Sequence, residues 1–505
     1  MSLDRSFLDW AGTLPFIRRW ADTLSLGLIS TLADKNVLQK ILKSVATAKK
    51  GKANAKRPRI KSRYRKLVRN NHGIREITPQ ATLLINHISN SLRKGSFRFS
   101  LPALRILAKK ENSGNLPSLA VARQKIAIRD QDFLDHFRII GGCKPKDYLV
   151  QKRILQIIEK RVDPLFSENS HAYRIDRLKF GCPQAVVELE RLRPAHPYIV
   201  KIDIRKFFDE IDHRILMRRV KRILWRAGFS FFQRIELAGL ISDYLTTAPR
   251  MKGHHQPPWN KRGISQGGPL SNMLSNIYLD DFDRAMARHR IPFIRYADDI
   301  LFACKSGEQA KRFMSLAQKQ LAKLGLFSDP AKTVIKSFSE GFDYLGFHLK
   351  DGDKIIRDST VRKFKKSIRQ ITNSNRTKSR SPEPVRFTRM IKEINIKLGF
   401  IPLGKPEKGK RRHHRFFPKR SWIRFFALAK DGSAMRGQLA KLDYFIRDRL
   451  RHVLEIQRPN MHGYFGNRRN LLRSIRILRR NGLHSLVEAY DRFSRVTDGA
   501  SGNKK

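Results

Sequence analysis

Cysteine is scarce in this chain: three in 505 residues, at Cys143, Cys182 and Cys304, with no C-x-x-C pair. That spacing argues against zinc fingers, zinc-dependent endonuclease modules and disulfide frameworks, and leaves buried free thiols as the expectation. Long apolar runs are missing as well. The stretch around Leu24 to Leu32 falls far short of the ~20 residues a membrane span needs. Asp4, Asp9 and Trp10 come early, with no basic start followed by an apolar block, so no signal peptide and a cytoplasmic location are expected. Acid is the third shortage. Asp and Glu number 44 against 105 Lys and Arg, a formal net charge of +61. A merely solubilised surface would carry far more acid, and such an excess repels itself unless a polyanion neutralises it. The basic residues run through the whole chain and alternate with aromatics, which favours a long nucleic-acid footprint over a membrane surface.

What is present is a globular composition, 40% hydrophobic, in a chain long enough for several domains. Residues 1–95 carry apolar positions at helical spacing (Phe7, Leu8, Trp10, Leu14; then Leu38, Ile41, Leu42, Val45) and read as a basic helical extension. Lys49 to Arg69 interrupts it as a basic linker or arm. Residues 96–350 alternate short apolar runs with helical patterns. YIVKIDI (198–204) reads as a buried strand, residues 214–247 as helix whose aromatic rings pack the core, and residues 269–286 as a helix opened by Pro269. PFIRYADDILFAC (292–304) reads as strand, tight turn, strand. The expected class is α/β (α+β). Residues 351–495 read as nearly all helix, and residues 496–505 as a disordered tail.

Three carboxylates stand out. Asp203 ends an apolar strand, where an unpaired charge is costly. Asp298 and Asp299 sit between two apolar runs, at the tip of the expected hairpin. Adjacent like charges disfavour each other's ionisation unless a cation intervenes. Two Mg²⁺ ions shared with Asp203 would resolve this, activate a 3′-hydroxyl and stabilise a leaving pyrophosphate. A two-aspartate turn taken alone favours an ordinary solvated turn; Asp203 on a second strand and the motif between them tip the reading the other way. Between the two sites lies GISQGGPLSNMLSNIYL (263–279), where Gln266, Gly267 and Gly268 could approach a flat ligand ahead of a helix N-terminus.

In this order the segments resemble the motifs of reverse transcriptases. KIDIRKFFDEIDH (201–213) is similar to motif A, SQGGPLSNMLSNIYL (265–279) to motif B and RYADDILFA (295–303) to the Y-x-D-D motif C. DYLVQKRI (147–154) and SHAYRIDRLKFGCPQAV (170–186) resemble fingers motifs of bacterial group II intron-like enzymes; LGLFSDPAKTVI (324–335) and FDYLGFHL (342–349) resemble motifs D and E. The resemblance covers roughly residues 97–350. It implies a right-hand polymerase, with fingers, a palm with an RRM-like sheet, and an all-α thumb. It also implies catalysis by Asp203, Asp298 and Asp299, with Ile204 joining them in holding two Mg²⁺ (Mn²⁺ as substitute).

By the same resemblance Phe208 stands at the steric gate and argues for deoxynucleotides, the alternative being core packing. Phe207 and Phe208 are expected on a strand end, facing opposite ways. Lys332 falls at the motif D lysine. Arg153 and Arg174 would meet the incoming phosphates or template, with a surface role as the alternative. Tyr296 would contact primer or pack the palm. The basic loop with Lys410, Arg411, Arg412 and Arg415, and with His413 and His414, would contact RNA. Asp209, Asp212 and His213 are expected to cap or cover the next helix, and Asp280, Asp281 and Asp283 to lie on the surface.

The C-terminal stretches 441–458 and 470–490 resemble thumb and following helices, and no room for a DNA endonuclease is seen after Tyr490. With the long basic N-terminus, this architecture resembles the defence-associated bacterial reverse transcriptases, which pair with a non-coding RNA and make cDNA in response to phage. The expected partners are therefore a structured non-coding RNA template, its cDNA product and dNTPs, without a membrane; self-assembly stays open. The competing readings are an endonuclease-lacking group II intron maturase and an inactive RNA-binding scaffold.

Overall fold

The computed structural model describes residues 28–47, 67–71, 74–100, 103–108, 121, 137–176, 179–247, 262–265, 267–377, 383–398, 400–402, 414–416, 422–427, 433–457 and 483–491. In chain order, α1 (Lys35–Thr47) precedes β1 (Val68–Asn71), β2 (Ile74–Ile77) and α2 (Pro79–Arg93). Next come β3 (Ala103–Ala108), β4 (Phe137–Gly142), α3 (Pro145–Val162), α4 (Cys182–Leu192) and β5 (Tyr198–Asp203). The short helix α5 (Phe207–Glu210) leads to α6 (His213–Arg226), α7 (Phe231–Thr246) and α8 (Ser271–Arg288). β6 (Phe293–Tyr296), β7 (Asp299–Cys304), α9 (Gly307–Ala322), β8 (Val334–Ser337), β9 (Phe342–Tyr344), β10 (Phe347–Lys350) and β11 (Asp353–Ile356) follow. The remainder is α10 (Asp358–Thr377), α11 (Glu383–Leu398), β12 (Phe400–Pro402), β13 (His414–Phe416), α12 (Arg424–Ala427) and α13 (Ser433–Gln457). The fold is α+β, with helices packed around small, largely antiparallel sheets. No helix among the described residues is long and apolar enough to cross a membrane.

By contacts the chain divides into two interleaved units. The first holds residues 1–175, 203–290 and 316–329. Its helices start on recognisable signals. Thr78 accepts from the Ala81 amide ahead of Pro79 at the head of α2, and Ser230 and Gln233 close a capping box on α7. Leu32, Leu38 and Leu42 from the N-terminal helices, Ile85 and Ile88 from α2, and Ile154 and Ile158 from α3 are fully buried. Each such side chain contributes about 1.5–3 kcal/mol through burial. β3 and β4 pair antiparallel over their full lengths.

The second unit holds residues 176–202, 291–315 and 330–505. It contains a four-stranded sheet in the order β6-β7-β5-β8, save for Asp203 at the very end of β5, and a three-stranded sheet in the order β11-β10-β9. One apolar core joins both sheets to α4, α10, α11 and α13, with Ile199, Leu301, Tyr344, Phe347, Phe364, Ile394 and Leu439 buried. Trp422 stacks on Phe364 at 4.2 Å, and Phe425 on Phe347 at 5.5 Å. Asp443 on α13 accepts from the Leu486 and Val487 amides, tying the helix at 486–491 to the bundle.

The sequence expectation fails in several places for physical reasons. The N-terminal region is not helical throughout: β-branched Val68, Ile74 and Ile77 lie in the paired strands β1 and β2. The C-terminal region is mostly helix but also carries β11 and the β12–β13 pair. The helix expected from Pro269 begins at Ser271, leaving Pro269 in the turn before it. In residues 214–247, Phe229 and Tyr244 are buried as expected, but Trp225 and Phe231 are 63% and 55% exposed.

Candidate active site

The segment 292–304 folds as its alternation demands. β6 and β7 pair antiparallel with Tyr296 opposite Asp299, so Ala297 and Asp298 form a two-residue turn. Ala297 has φ +60°, whereas Asp298 is not among the positive-φ residues, the pattern of a type II′ turn whose first central position ordinarily takes glycine. The turn is therefore locally strained and must be held. Arg295 holds it: its side chain is fully buried and Nη1 donates to the Ala297 carbonyl at 3.1 Å.

Around the β7 end of this hairpin the second unit gathers polar groups. Lys201 on β5 places Nζ 3.7 Å from Asp299 Oδ2 and donates to the Asp343 carbonyl at 3.3 Å. Burial pushes the Cys182 thiol above its ordinary pKa; a hydrogen bond with Tyr296 opposes this and the Asp299 charge adds to it. Burial likewise pushes the fully enclosed Tyr344 phenol well up, and the negative charge of Asp299 adds to that. The other two thiols are free and pushed up by burial, Cys143 to about 11 and Cys304 to about 12. None is a ready nucleophile at neutral pH.

Motif A continues in the first unit. Asp203 accepts from the Asp329 amide through its carbonyl at 2.8 Å, Ile204 bridges Ser328, and the Arg205 amide donates to the Phe327 carbonyl. Lys206, at φ +45°, then turns the chain into α5. Phe207 and Phe208 thus lie on a helical turn, not on the strand end expected. Their rings meet edge to face at 5.3 Å, with Phe207 buried and Phe208 partly exposed. The α5 turn is fastened to the chain before motif B: Ile264 N donates to the Phe208 carbonyl and Gly263 N to the Ile211 carbonyl, both at 2.8 Å. Asp212 caps α6 as expected, accepting from the Arg214 and Ile215 amides. His213 Nε2 hydrogen-bonds the Gly263 carbonyl at 2.6 Å, and burial pushes its pKa down.

Motif B is built around close packing. Gly267 has φ +118°, a conformation open to glycine and costly for other residues. At Gly268 a Cβ would stand 2.5 Å from Gln151 Oε1, 2.9 Å from Tyr244 Oη and 3.2 Å from Ser271 Oγ. Ser271 Oγ donates to the Ser265 carbonyl at 2.6 Å and meets Tyr244 Oη at 2.8 Å, so the turn is braced from within the unit. Gln266 lies outside the described residues.

Several proposed contact residues have other partners. Arg174 is buried and pairs with Asp163 at 3.2 Å while donating to the Ser167, Ser170 and Asp163 carbonyls. Arg153 donates twice to the Thr31 carbonyl, at 3.0 and 2.9 Å, and once to Gln156. Lys332 sits exposed in the turn before β8. Arg415 belongs to β13, its backbone opposite Ile401; His414 opens the same strand. Lys410, Arg411, Arg412 and His413 lie outside the described residues. Asp280 and Asp283, expected on the surface, are buried. Asp280 pairs with Arg284 at 2.7 Å and Arg226 at 3.7 Å, and Asp281 pairs with Arg219 at 2.8 Å and with Arg222.

Sequence reasoning passed over Lys201 and Arg295. The available signal was a basic residue inside each of two apolar strands, YIVKID and FIRY, a placement that is costly without a partner.

Among the described residues no group of three or more His, Cys, Asp or Glu side chains is gathered tightly enough to hold a metal ion. The donors at hand are carboxylate and carbonyl oxygens, which suit a hard cation such as Mg²⁺. Mg²⁺ characteristically takes one or two carboxylates and fills its other positions with water and substrate phosphates rather than a closed protein cage.

Residues 128–349 match the reverse transcriptase (RNA-dependent DNA polymerase) family. Among curated proteins, the putative COX1/OXI3 intron 1 protein of Saccharomyces cerevisiae is 24% identical over 198 residues, which are 39% of this chain and 19% of that protein. The group II intron-encoded protein LtrA of Lactococcus lactis subsp. cremoris is 25% identical over 211 residues, 42% of this chain and 29% of that protein. The chain thus spans under a third of the length of either relative. Telomerase from Candida albicans aligns in three dimensions with a TM-score of 0.35 at 12% identity, over 63% of this chain and 57% of that one. Residues 128–349 therefore carry a reverse transcriptase domain, with group II intron-encoded proteins among its distant relatives.

Proposed function

We propose that this chain is an RNA-directed DNA polymerase whose catalytic carboxylates are Asp203, Asp298 and Asp299. The observation that carries the reading is one of strand order and a single ion pair. β5 is the hydrogen-bonded neighbour of β7. Lys201 and Asp203 lie two residues apart on β5 and so share a face, and the Lys201 ammonium is 3.7 Å from Asp299. Asp203 thus follows, on the same face of its strand, a lysine that pairs with Asp299, and this placement supports giving the three carboxylates one role. Two Mg²⁺ ions, with Mn²⁺ as substitute, would be held by the three carboxylates and the Ile204 carbonyl. They would supply activation of a primer 3′-hydroxyl and charge stabilisation at the departing pyrophosphate.

The chain's own residues supply the rest. Arg295 holds the strained turn that presents Asp298. Phe208, on its anchored helical turn, fills the space a ribose 2′-hydroxyl would need and selects dNTPs. Gly267 lets the backbone come close to the base pair, with Gln266 beside it, and Lys332 meets the incoming triphosphate. Tyr296, opposite Asp299, lies against the primer end. Arg153 and Arg174 serve substrate binding by fixing the fingers rather than by direct contact, and the basic segment at Lys410, Arg411, Arg412 and Arg415 lies along nucleic-acid phosphates. The test is primer extension on an RNA template with dNTPs and Mg²⁺, comparing the chain with Asp298→Ala plus Asp299→Ala. Equal incorporation by both proteins defeats the reading.

The proposed template is a structured non-coding RNA, and the proposed setting is the cytoplasm, in antiphage defence. The similarity to LtrA favours a second reading, a group II intron maturase. Sequencing the RNA that co-purifies with the full chain separates them: a short structured RNA encoded beside the gene supports defence, and an intron with its catalytic domain supports maturation.

A further inference from the structure

The first unit contains a cavity of about 820 Å³, bounded by α6, by α8 and by the end of α9 with the chain just after it. Six cationic side chains line it: Arg219, Arg222, Arg226, Arg284, Arg288 and Lys323. The acids that face them are Asp281 on the lining and Asp280, which pairs with two of the arginines. Six positive charges against two negative leave a formal +4 around one concavity. Asp281 is shared by Arg219 and Arg222, and Asp280 by Arg226 and Arg284. No ion pair of Arg288 or Lys323 occurs among the described residues, and both are exposed. Like charges held this closely repel. Arg219 and Arg284 donate further to the Tyr278 and Leu165 carbonyls, so the planar donor sets of Arg222 and Arg226, with Arg288 and Lys323, carry the cavity's spare donors. Guanidinium groups in such an array match phosphate oxygens in charge and in geometry. Helix α6 adds a second feature beside the lining arginines. Trp225, 63% exposed, follows Arg222 by one helical turn and precedes Arg226 on α6. An exposed indole beside phosphate-binding arginines is the arrangement on which an unpaired base stacks.

We propose that this cavity is a second nucleic-acid site, separate from the proposed catalytic residues, which seats the phosphate backbone of a single-stranded RNA segment while Trp225 stacks on one of its bases. It reads no sequence, since backbone contacts carry none. It gives the chain a place to hold its partner RNA while another part is copied, and it gives a role to Arg288 and Lys323, for which no ion pair occurs among the described residues.

The test uses the full chain saturated with template–primer duplex, so that the catalytic site is occupied. A fluorescein-labelled single-stranded RNA of about 12 nucleotides is then titrated by anisotropy across a range of KCl concentrations. The wild-type chain is expected to bind it. Arg222→Gln, Arg288→Gln and Lys323→Gln combined should weaken binding at least tenfold near 0.1 M salt, and should flatten the log-affinity against log-salt slope by about 2, at about 0.7 per lost phosphate contact. Trp225→Ala should weaken binding by about fivefold or more with the slope unchanged, and it supports the proposal even if the triple variant fails to fold. Primer extension should be unaltered in every folded variant. An unchanged affinity and slope in the triple variant overturn the proposal. So does binding of tripolyphosphate or a poly-glutamate peptide that is lost in the triple variant while RNA binding is not. Indifference of RNA binding to Trp225→Ala overturns the stacking, and leaves a phosphate site rather than a strand site.

Discussion

Gly268→Ala tests whether motif B is held open by packing inside its own unit. The new Cβ would stand 2.5 Å from Gln151 Oε1, 2.9 Å from Tyr244 Oη and 3.2 Å from Ser271 Oγ. Gln151 can swing its amide away, giving up a contact to Cys143 Sγ at 3.4 Å. Tyr244 cannot. Its ring is 3% exposed and edge-packed on Phe99, and its hydroxyl would have to retreat by about 0.5 Å, from 2.9 Å to the 3.4 Å where ordinary contact begins. That retreat stretches the 2.8 Å bond to Ser271, whose hydroxyl also fixes the Ser265 carbonyl. Overpacking of this kind costs about 1–3 kcal/mol, and weakening a buried hydrogen bond adds on the order of 1 kcal/mol. We expect a loss of about 2–3 kcal/mol in urea unfolding. Tyr244→Phe removes the oxygen in the way, so the double variant should recover about 1 kcal/mol or more relative to additivity. A Gly268→Ala chain within about 0.5 kcal/mol of wild type, with purely additive effects, refutes this account of the turn.

Phe208→Ala should raise ribonucleotide incorporation relative to deoxynucleotide by on the order of tenfold or more, measured as the ratio of kcat/KM values; an unchanged ratio removes Phe208 from the sugar. Arg295→Met keeps length but loses the donor to the Ala297 carbonyl. It should cost about 1–3 kcal/mol in unfolding free energy and lower kcat more than it raises KM, because the acids at the turn lose their support. His213 has its pKa lowered by burial, so the unfolded chain binds its proton more readily than the folded one. Its contribution is therefore full above about pH 6.5 and is lost as pH falls below that. Replacing it in His213→Asn should flatten the fall in stability between about pH 7 and 5.5, and an identical pH profile contradicts the assignment.

How much was legible in the sequence depended on whether the signal was local. The β6–β7 hairpin could be read from FIRYA and ILFAC because the side-chain period is short and the two-residue turn leaves one register. The cap at Asp212 was equally local. What escaped depends on partners far along the chain. Asp280 and Asp283 looked like surface charges on a helix, yet they are buried. For Asp280 this is affordable because Arg226 on another helix and Arg284 one turn on supply its countercharge. Lys201 and Arg295 were hidden inside apolar strands, where only the fold reveals Asp299 and the Ala297 carbonyl as their partners. Arg153 and Arg174 carried the fingers pattern, but nothing in that pattern announces the Thr31 carbonyl or the Asp163 carboxylate that engage them. Phe208 was placed on a strand end because nothing nearby signals the positive φ at Lys206 that starts a helical turn.

The central claim is that carboxylates nearly a hundred residues apart act on the same ions. Iron(II) substituted for Mg²⁺, with ascorbate and peroxide, cuts the backbone beside whatever binds it. Mapping the fragments should reveal cleavage both around Asp203 and around Asp298–Asp299, with both sets of cuts vanishing together in Asp298→Ala plus Asp299→Ala. Cuts at only one of the two segments, or cuts near Asp203 that survive that double substitution, would contradict a shared ion site.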